Sequence, residues 1–332
     1  MKNEQIFYQA DAIMNISETR SIILRREKSG GTMKKDINEI LRNWDLENQN
    51  ITQIHDTTWQ IGDEYILKIY DNLDTLERNL KVLSILDAAK IPVGRTISTK
   101  CGGEFVKDEN EGYFLSKKLP GGNIGVVGNN TELMRQMGKI IANLHVAFHS
   151  CEQQEEFWNN SLLEEMTGWV KEALERDGWN CINQNVYEQM ITGLKAEYEK
   201  LSVQLIHRDV HFGNFLFQEG EFSGYIDFDL SQRNIRIFDL CYFLLGLLSE
   251  EEKLKFTREQ WFDFVKMAFE GYEEQIVISE EEKRAVPYVM EAIELIFVAY
   301  FLEIKNEGLA QEAKQIFEFV KEQEERIWSC IA

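Results

Sequence analysis

The stretch from His207 to Asp229 limits the possible folds of this chain more than any other. His207-Arg208-Asp209 is followed, after four intervening residues, by Asn214, and eighteen residues past Asp209 comes Asp227, within Ile226-Asp227-Phe228-Asp229. Between the two clusters, Phe215-Leu216-Phe217 reads as a strand, Gln218-Glu219-Gly220 as a turn and Gly224-Tyr225-Ile226 as a returning strand. A β-hairpin of this length brings Asp227 back beside Asn214. The fold must therefore arrange an acid, an amide and a second acid about one hairpin. The amide and carboxylate of Asn214 and Asp227 present hard oxygens that suit a magnesium ion, and a carboxylate such as Asp209 can accept a hydroxyl proton. Plainer readings exist for each piece. His207-x-Asp209-x-His211 also has the donor types of a transition-metal cluster, although no third element of a zinc motif follows. Taken alone, Asp-Phe-Asp is an ordinary turn after a strand.

His-Arg-Asp followed by Asn at this spacing is the catalytic-loop pattern of kinases, and phosphoryl transfer needs both an acceptor for the hydroxyl proton and oxygen ligands for the nucleotide's metal. The segment resembles the aminoglycoside phosphotransferase and choline kinase group, including type II homoserine kinase-like proteins. That group reads His-x-Asp-x-x-x-x-Asn, then Ile-Asp-Phe or Ile-Asp-Trp, then Asp-Leu twelve residues after the metal Asp, where this chain has Asp239-Leu240. Asn234-Ile235-Arg236 stands in place of the group's Gly-Asp-Pro. The resemblance implies an α+β, bilobal protein-kinase-like fold with a small β-rich N-lobe and a larger, mostly helical C-lobe. It implies ATP and Mg²⁺ as cofactors and a hydroxyl of a small molecule as acceptor, whether an aminoglycoside, an amino alcohol, homoserine or a sugar-like compound. Asp209 then acts on the acceptor hydroxyl, Asn214 and Asp227 hold metal, and Asp239 is structural. Arg208 follows the protein-kinase form, but Asp229 stands where those enzymes have Gly and no Ala-Pro-Glu follows, which points away from a protein substrate.

On this reading residues 1–117 form a nucleotide-binding lobe with a leading helical segment, and residues 118–332 a helical lobe with the catalytic loop and acceptor pocket. Residues 1–50 read as largely helical, broken at Ser29-Gly30-Gly31, with Met33 as an alternative start. Short β-rich runs follow at 51–54, 57–61 and 65–70. Lys68 falls where the resembled group has its phosphate-binding lysine, although a lysine near the end of an edge strand is common. The loop from His55 to Trp59 has no glycine, so Thr57 and Thr58 are expected to meet phosphate through hydroxyls and backbone N–H groups. A helix over 73–89 leads to Ile91-Pro92-Val93. In the resembled group a carboxylate from this helix pairs with the lysine. Alignment on Pro92 puts Asn79 there, and Glu77, on a different face, is the nearest candidate partner. Ser116 to Lys118 fit a hinge whose backbone meets adenine, with Ser116 and Lys118 at its ends, and fit a plain linker equally well. Helical periodicity marks 131–149, 161–201, 238–248, 258–272, 285–305 and 309–328. His145 and His149 read as structural.

At 332 residues and 44% apolar, the chain can bury the cores of two lobes. A net charge of −21 opposes nucleic-acid binding and anionic membranes. The same charge would draw in a cationic substrate, but acidic runs at 250–252 and 280–282 sit near expected helix starts, where carboxylates favour the dipole. Five scattered cysteines without a C-x-x-C pair read as reduced thiols. Together with a polar start at Met1-Lys2-Asn3-Glu4, they predict a cytoplasmic protein with no membrane partner. Oligomeric state has no signature here. A second reading, a catalytically silent kinase-fold binding or scaffold protein, draws on Asn79 and the glycine-free loop.

Overall fold

The computed structural model describes residues 36–153 and 156–332. The helical reading of 1–35, with its Ser29-Gly30-Gly31 break and Met33, lies outside the described residues. In chain order the first elements are α1 (Ile37–Leu41), β1 (Ile51–His55), β2 (Thr58–Ile61), β3 (Tyr65–Tyr70), α2 (Leu73–Ala88), β4 (Val106–Asp108) and β5 (Glu111–Lys117). Then come α3 (Thr131–Glu152), α4 (Leu162–Glu165), α5 (Lys171–Arg176), α6 (Gln184–Tyr198), β6 (Val203–Ile206), β7 (Phe215–Gln218), β8 (Glu221–Tyr225) and β9 (Gln232–Ile235). The chain ends in α7 (Ile237–Ser249), α8 (Glu251–Leu254), α9 (Arg258–Glu273), α10 (Glu280–Glu303), α11 (Glu307–Glu322) and α12 (Glu324–Ile331). Among the described residues the chain divides into two compact units, one of 36–123 with 212–229, the other of 124–211 with 230–332.

The first unit is built on an antiparallel sheet of order β1-β2-β3-β5-β4. Period-two alternation puts Trp59, Ile61, Leu67, Tyr113 and Leu115 on one face, against Ile40, Leu41 and Trp44 from the α1 region. The Trp44 indole N–H donates to the Ile97 carbonyl at 2.8 Å, so this core indole is not left with a buried unpaired donor. Asn72 caps α2 by accepting from the Thr75 N–H at 3.1 Å. A Cβ on Gly112 of β5 would lie 2.5 Å from Leu76 Cδ2, so glycine is what lets α2 approach the sheet. The same unit holds the β7–β8 hairpin, in which Phe215 pairs with Tyr225. Bridges from Val93 to Tyr225 and from Gly122 to Phe217 fasten that hairpin to its own unit.

The second unit is mostly helical, with β6 and β9 paired antiparallel. That strand pair is where Asn234-Ile235 stands in for the resembled group's Gly-Asp: the stretch continues a strand. Helices α3 and α9 cross at two glycines. A Cβ on Gly138 would lie 2.0 Å from the Ala268 carbonyl oxygen, and one on Gly271 2.0 Å from that of Arg135. Helix α10 starts with a capping box between Ser279 and Glu282. It is long and apolar enough to cross a membrane, yet 89% of its apolar window is buried within the protein. The continuous helical pattern over 161–201 resolves into pieces: α4, a π-helical turn at Met166–Val170 with Gly168 at φ −100°, α5, and a break at Gly178 (φ +67°) before α6. The pattern over 309–328 likewise breaks at Gln323, between α11 and α12.

Candidate active site

In the first unit the chemistry gathers around Lys68. It sits in β3 paired across the sheet with Phe114, and its ammonium meets Asp227 Oδ1 at 2.7 Å and also binds Asp229. Tyr70, two residues along the same strand, donates its hydroxyl to Asp229 Oδ1 at 2.8 Å and accepts from the Asn79 side-chain amide at 2.9 Å. Strand alternation explains why Lys68 and Tyr70 act together, since residues i and i+2 share a face. Asp227 follows β8 in the left-handed region at φ +67°. That conformation is uncommon for a residue with a side chain, though Asp tolerates it better than most. Just before it, the Ile226 N–H donates to the Asn214 carbonyl at 3.0 Å, so the hairpin brings the two expected metal residues to neighbouring positions. The Asn123 side-chain amide holds the turn that carries Asn214 by donating to the Phe212 and Gly213 carbonyls at 2.9 and 2.8 Å.

Burial opposes a charge on Lys68, but Asp227 and Asp229 more than offset it and hold the ammonium well above its ordinary value. Burial also pushes the Asp229 carboxyl up, with Asp227 adding to the rise and Lys68 pulling against it. Tyr70 is raised by burial and by Asp229. One cation between two carboxylates leaves a net negative cluster of oxygen donors. With the amide of Asn214 this donor set fits a hard divalent cation.

The remaining expected nucleotide contacts fall as follows. Asp56 and Thr57 form a two-residue turn between β1 and β2, the Thr57 carbonyl accepts from the Ile69 N–H at 2.8 Å, and Thr58 opens β2. Thr57 is exposed and Thr58 half-buried. Ser116 is buried in β5, paired with Ile66. The N–H groups of Lys117 and Lys118 donate to the Arg95 and Glu64 carbonyls at 2.8 and 2.7 Å, and Lys118 Nζ donates to Gln60 at 2.9 Å. Glu77, expected beside Lys68, is exposed on α2, whereas Asn79 is buried and reaches Tyr70. The carboxylates beside Lys68 come from Asp227 and Asp229, and α2 joins the cluster through the Asn79 amide, which donates to the Tyr70 phenol of β3. Tyr70 was not anticipated. Its signal was the i+2 spacing from Lys68.

In the second unit Asp209 is buried, and Tyr242 of α7 donates its hydroxyl to Asp209 Oδ1 at 2.9 Å. Arg208 has φ +69°, and the loop is held by Asp239, whose Oδ2 accepts from the His207 N–H and Oδ1 from the Arg208 N–H, both at 2.8 Å. His145 lies 3.0 Å from Asp239 Oδ2 through Nε2 and 2.7 Å from the Tyr272 hydroxyl through Nδ1. These contacts give Asp239 and His145 structural places, and His149 is exposed. No group of three or more His, Cys, Asp or Glu side chains suited to a metal occurs among the described residues. The Arg208 guanidinium pairs with Glu165 at 2.6 Å, both buried. Beside them Arg208, Phe238, Tyr242, Ile293, Ile296 and Phe297 line a small apolar pocket.

Residues 47–285 match the phosphotransferase enzyme family. The homoserine kinase of Gluconobacter oxydans (strain 621H) is 25% identical over 194 residues, which cover 54% of this chain. The match spans only 55% of that protein's length. An amicoumacin kinase solved with AMP-PNP, Ca²⁺ and its antibiotic superimposes with a TM-score of 0.68 at 16% identity, covering 85% of this chain and 92% of that one. For an aminoglycoside phosphotransferase from Alicyclobacillus acidocaldarius subsp. acidocaldarius DSM 446 the TM-score is 0.60 at 16% identity, covering 92% and 98%. A microcompartment-associated aminopropanol kinase gives 0.58 at 14%, covering 88% and 97%. At such identities the structural likenesses show a shared protein-kinase-like fold. The family match spans well over half of the sequence, and the chain belongs to the phosphotransferase enzyme family.

Proposed function

We propose that this chain is an ATP-dependent, Mg²⁺-requiring kinase that transfers the γ-phosphate to a hydroxyl of a small molecule. One observation carries the reading: Lys68, from a strand of the sheet, converges on Asp227 and Asp229, residues 159 and 161 positions away in sequence. A cation among carboxylates in a nucleotide-type sheet is what phosphate binding and metal binding jointly require. Lys68 neutralises phosphate charge, and Asn214 and Asp227 supply metal oxygens, with Asp229 beside them. A bound divalent ion adds charge neutralisation at the phosphates. Asp209 accepts or orients the acceptor proton, held by Tyr242. Thr57 and Thr58 approach the phosphates, and the strand end from Ser116 to Lys118 meets the adenine. The family match and the absence of protein-kinase markers support a small-molecule acceptor, and the acidic surface supports a cytoplasmic role without nucleic acid.

A thermal-shift titration tests the reading against a silent scaffold. ATP with Mg²⁺ is expected to raise Tm in a concentration-dependent way, by mass action on the folded state, and ATP with EDTA to raise it much less. Equal shifts with and without the metal, or none at all, would defeat the proposal.

A further inference from the structure

Resting on the phosphotransfer reading above, we propose that Tyr70 and Asn79 are positioning residues for Lys68, which act on it through Asp229 and set how tightly its ammonium holds phosphate. All four side chains belong to the first unit. Lysine is a flexible four-carbon chain that loses rotamer freedom when its charge is held at one point. Here Lys68 is held by Asp229, and Asp229 in turn by Tyr70, whose hydroxyl donates to Oδ1 at 2.8 Å. The Tyr70 ring also faces the ammonium, with its centroid 5.2 Å from Nζ.

Hydrogen-bond polarity fixes the order of these residues. An ammonium only donates and a carboxylate only accepts, while a phenol has a single proton to give. The Asn79 amide donates to the Tyr70 oxygen at 2.9 Å, which commits the phenol's proton to Asp229. Helix α2 therefore reaches Lys68 by way of an amide, a phenol and a carboxylate, with Glu77 exposed and apart from them. Asn79 is only 5% exposed, and its Oδ1 has no hydrogen-bond partner among the described residues. An apolar side chain of similar size would avoid that cost. Stability alone does not account for an amide at this position, whereas its contact with Tyr70 does.

The test is a double-mutant cycle on MgATP affinity, read by calorimetry, with the ligand-free Tm of each variant as the control on the fold. Tyr70→Phe keeps the ring and removes the hydroxyl. It is expected to raise the Kd of MgATP roughly threefold to tenfold when Lys68 is present, and by less than about twofold in a Lys68→Met background. A role in the fold alone would carry over into both backgrounds. Asn79→Leu is expected to show a Tm equal to or above wild type, together with a Kd for MgATP about twofold to threefold higher. Equal loss with Tyr70→Phe in both backgrounds, or no loss with Lys68 present, overturns the inference and leaves the kinase reading standing. An Asn79→Leu chain that is less stable yet binds MgATP as before overturns it too. Undiminished MgATP affinity in Lys68→Met overturns both the inference and the phosphate role of Lys68, and the metal-dependent thermal shift then decides whether the kinase reading falls with them.

Discussion

Lys68 and Asp209 lie in different units, and each is fixed by different means. Lys68 is held by other side chains of the candidate site: Asp227 and Asp229 grip its ammonium, and Tyr70 and Asn79 brace Asp229 from behind. Asp209 is held by scaffolding. Asp239 fastens the His207 and Arg208 backbone, Arg208 is paired off with Glu165, and the carboxylate accepts from the Tyr242 phenol with His211 Nε2 3.6 Å from its other oxygen. The first arrangement stores charge that an incoming phosphate and metal can redistribute. On the proposed kinase reading, the second keeps the Arg208 guanidinium on Glu165 rather than on the carboxylate that takes the acceptor proton. A substitution in the first cluster therefore disturbs ligand binding, whereas one in the second disturbs either chemistry or folding, depending on whether it touches Asp209 or its supports.

The sharpest break in that comparison is Asp209→Ala. It should lower kcat by roughly 10²–10⁴-fold while the MgATP-induced rise in Tm stays close to wild type. An equal loss of nucleotide binding would mean that the two clusters do not divide the work in this way. Asp227→Asn comes next, with an expected fall of about 10²-fold in kcat/KM. The diagnostic reading is that Mg²⁺ ceases to improve ATP binding in calorimetry. Asp239→Ala probes the scaffold. It leaves two buried N–H groups without their acceptor, at about 1–3 kcal/mol each, so urea unfolding should show a loss of roughly 2–5 kcal/mol, and a stability equal to wild type contradicts the role given to Asp239.

The smallest effect is expected in pH dependence, away from both clusters. Burial pushes the Glu291 carboxyl up from 4.5 to about 8, against the pull of Lys321 3.6 Å away. The nearer partner of Lys321 is Glu324 at 2.5 Å, so the lysine does not fully compensate Glu291. The folded chain then keeps a proton that the unfolded chain releases, and stability falls as pH rises from about 4.5 to about 8 and levels off above that. Glu291→Gln should remove the slope, gaining on the order of 1–3 kcal/mol over wild type between pH 5.5 and pH 6.5, measured as denaturation midpoints.

The parts of the site legible in the sequence were those set by local pattern. Alternation and a turn signal marked the hairpin that brings Asp227 toward Asn214, and the meander placed Lys68 on its third strand. Helices starting with acidic runs were also readable, as at Ser279-Glu280, because caps and the dipole act within one turn. The contacts between Lys68, Tyr70 and Asp229 were not readable, because they form between segments about 160 residues apart and depend on tertiary packing. Glu77 shows the same limit. Sequence spacing located the helix, but only the rotation of α2 on the sheet decides that Asn79 faces inward and Glu77 faces water. The π-turn at Gly168 was not readable either, since a single wide turn within a long apolar run carries no residue signal of its own beyond the glycine.

The crossing of α3 and α9 at Gly138 and Gly271 leads somewhere different. At both positions the obstacle to a methyl group is a main-chain carbonyl, which has no rotamer to which it could retreat. Two long helices are thus seated backbone against backbone at their crossing, with no room between them for even one methyl group. Alanine at either position would lever them apart and transmit the strain to every helix laid against them, so these two unassuming sites should tolerate less variation than most of the catalytic loop.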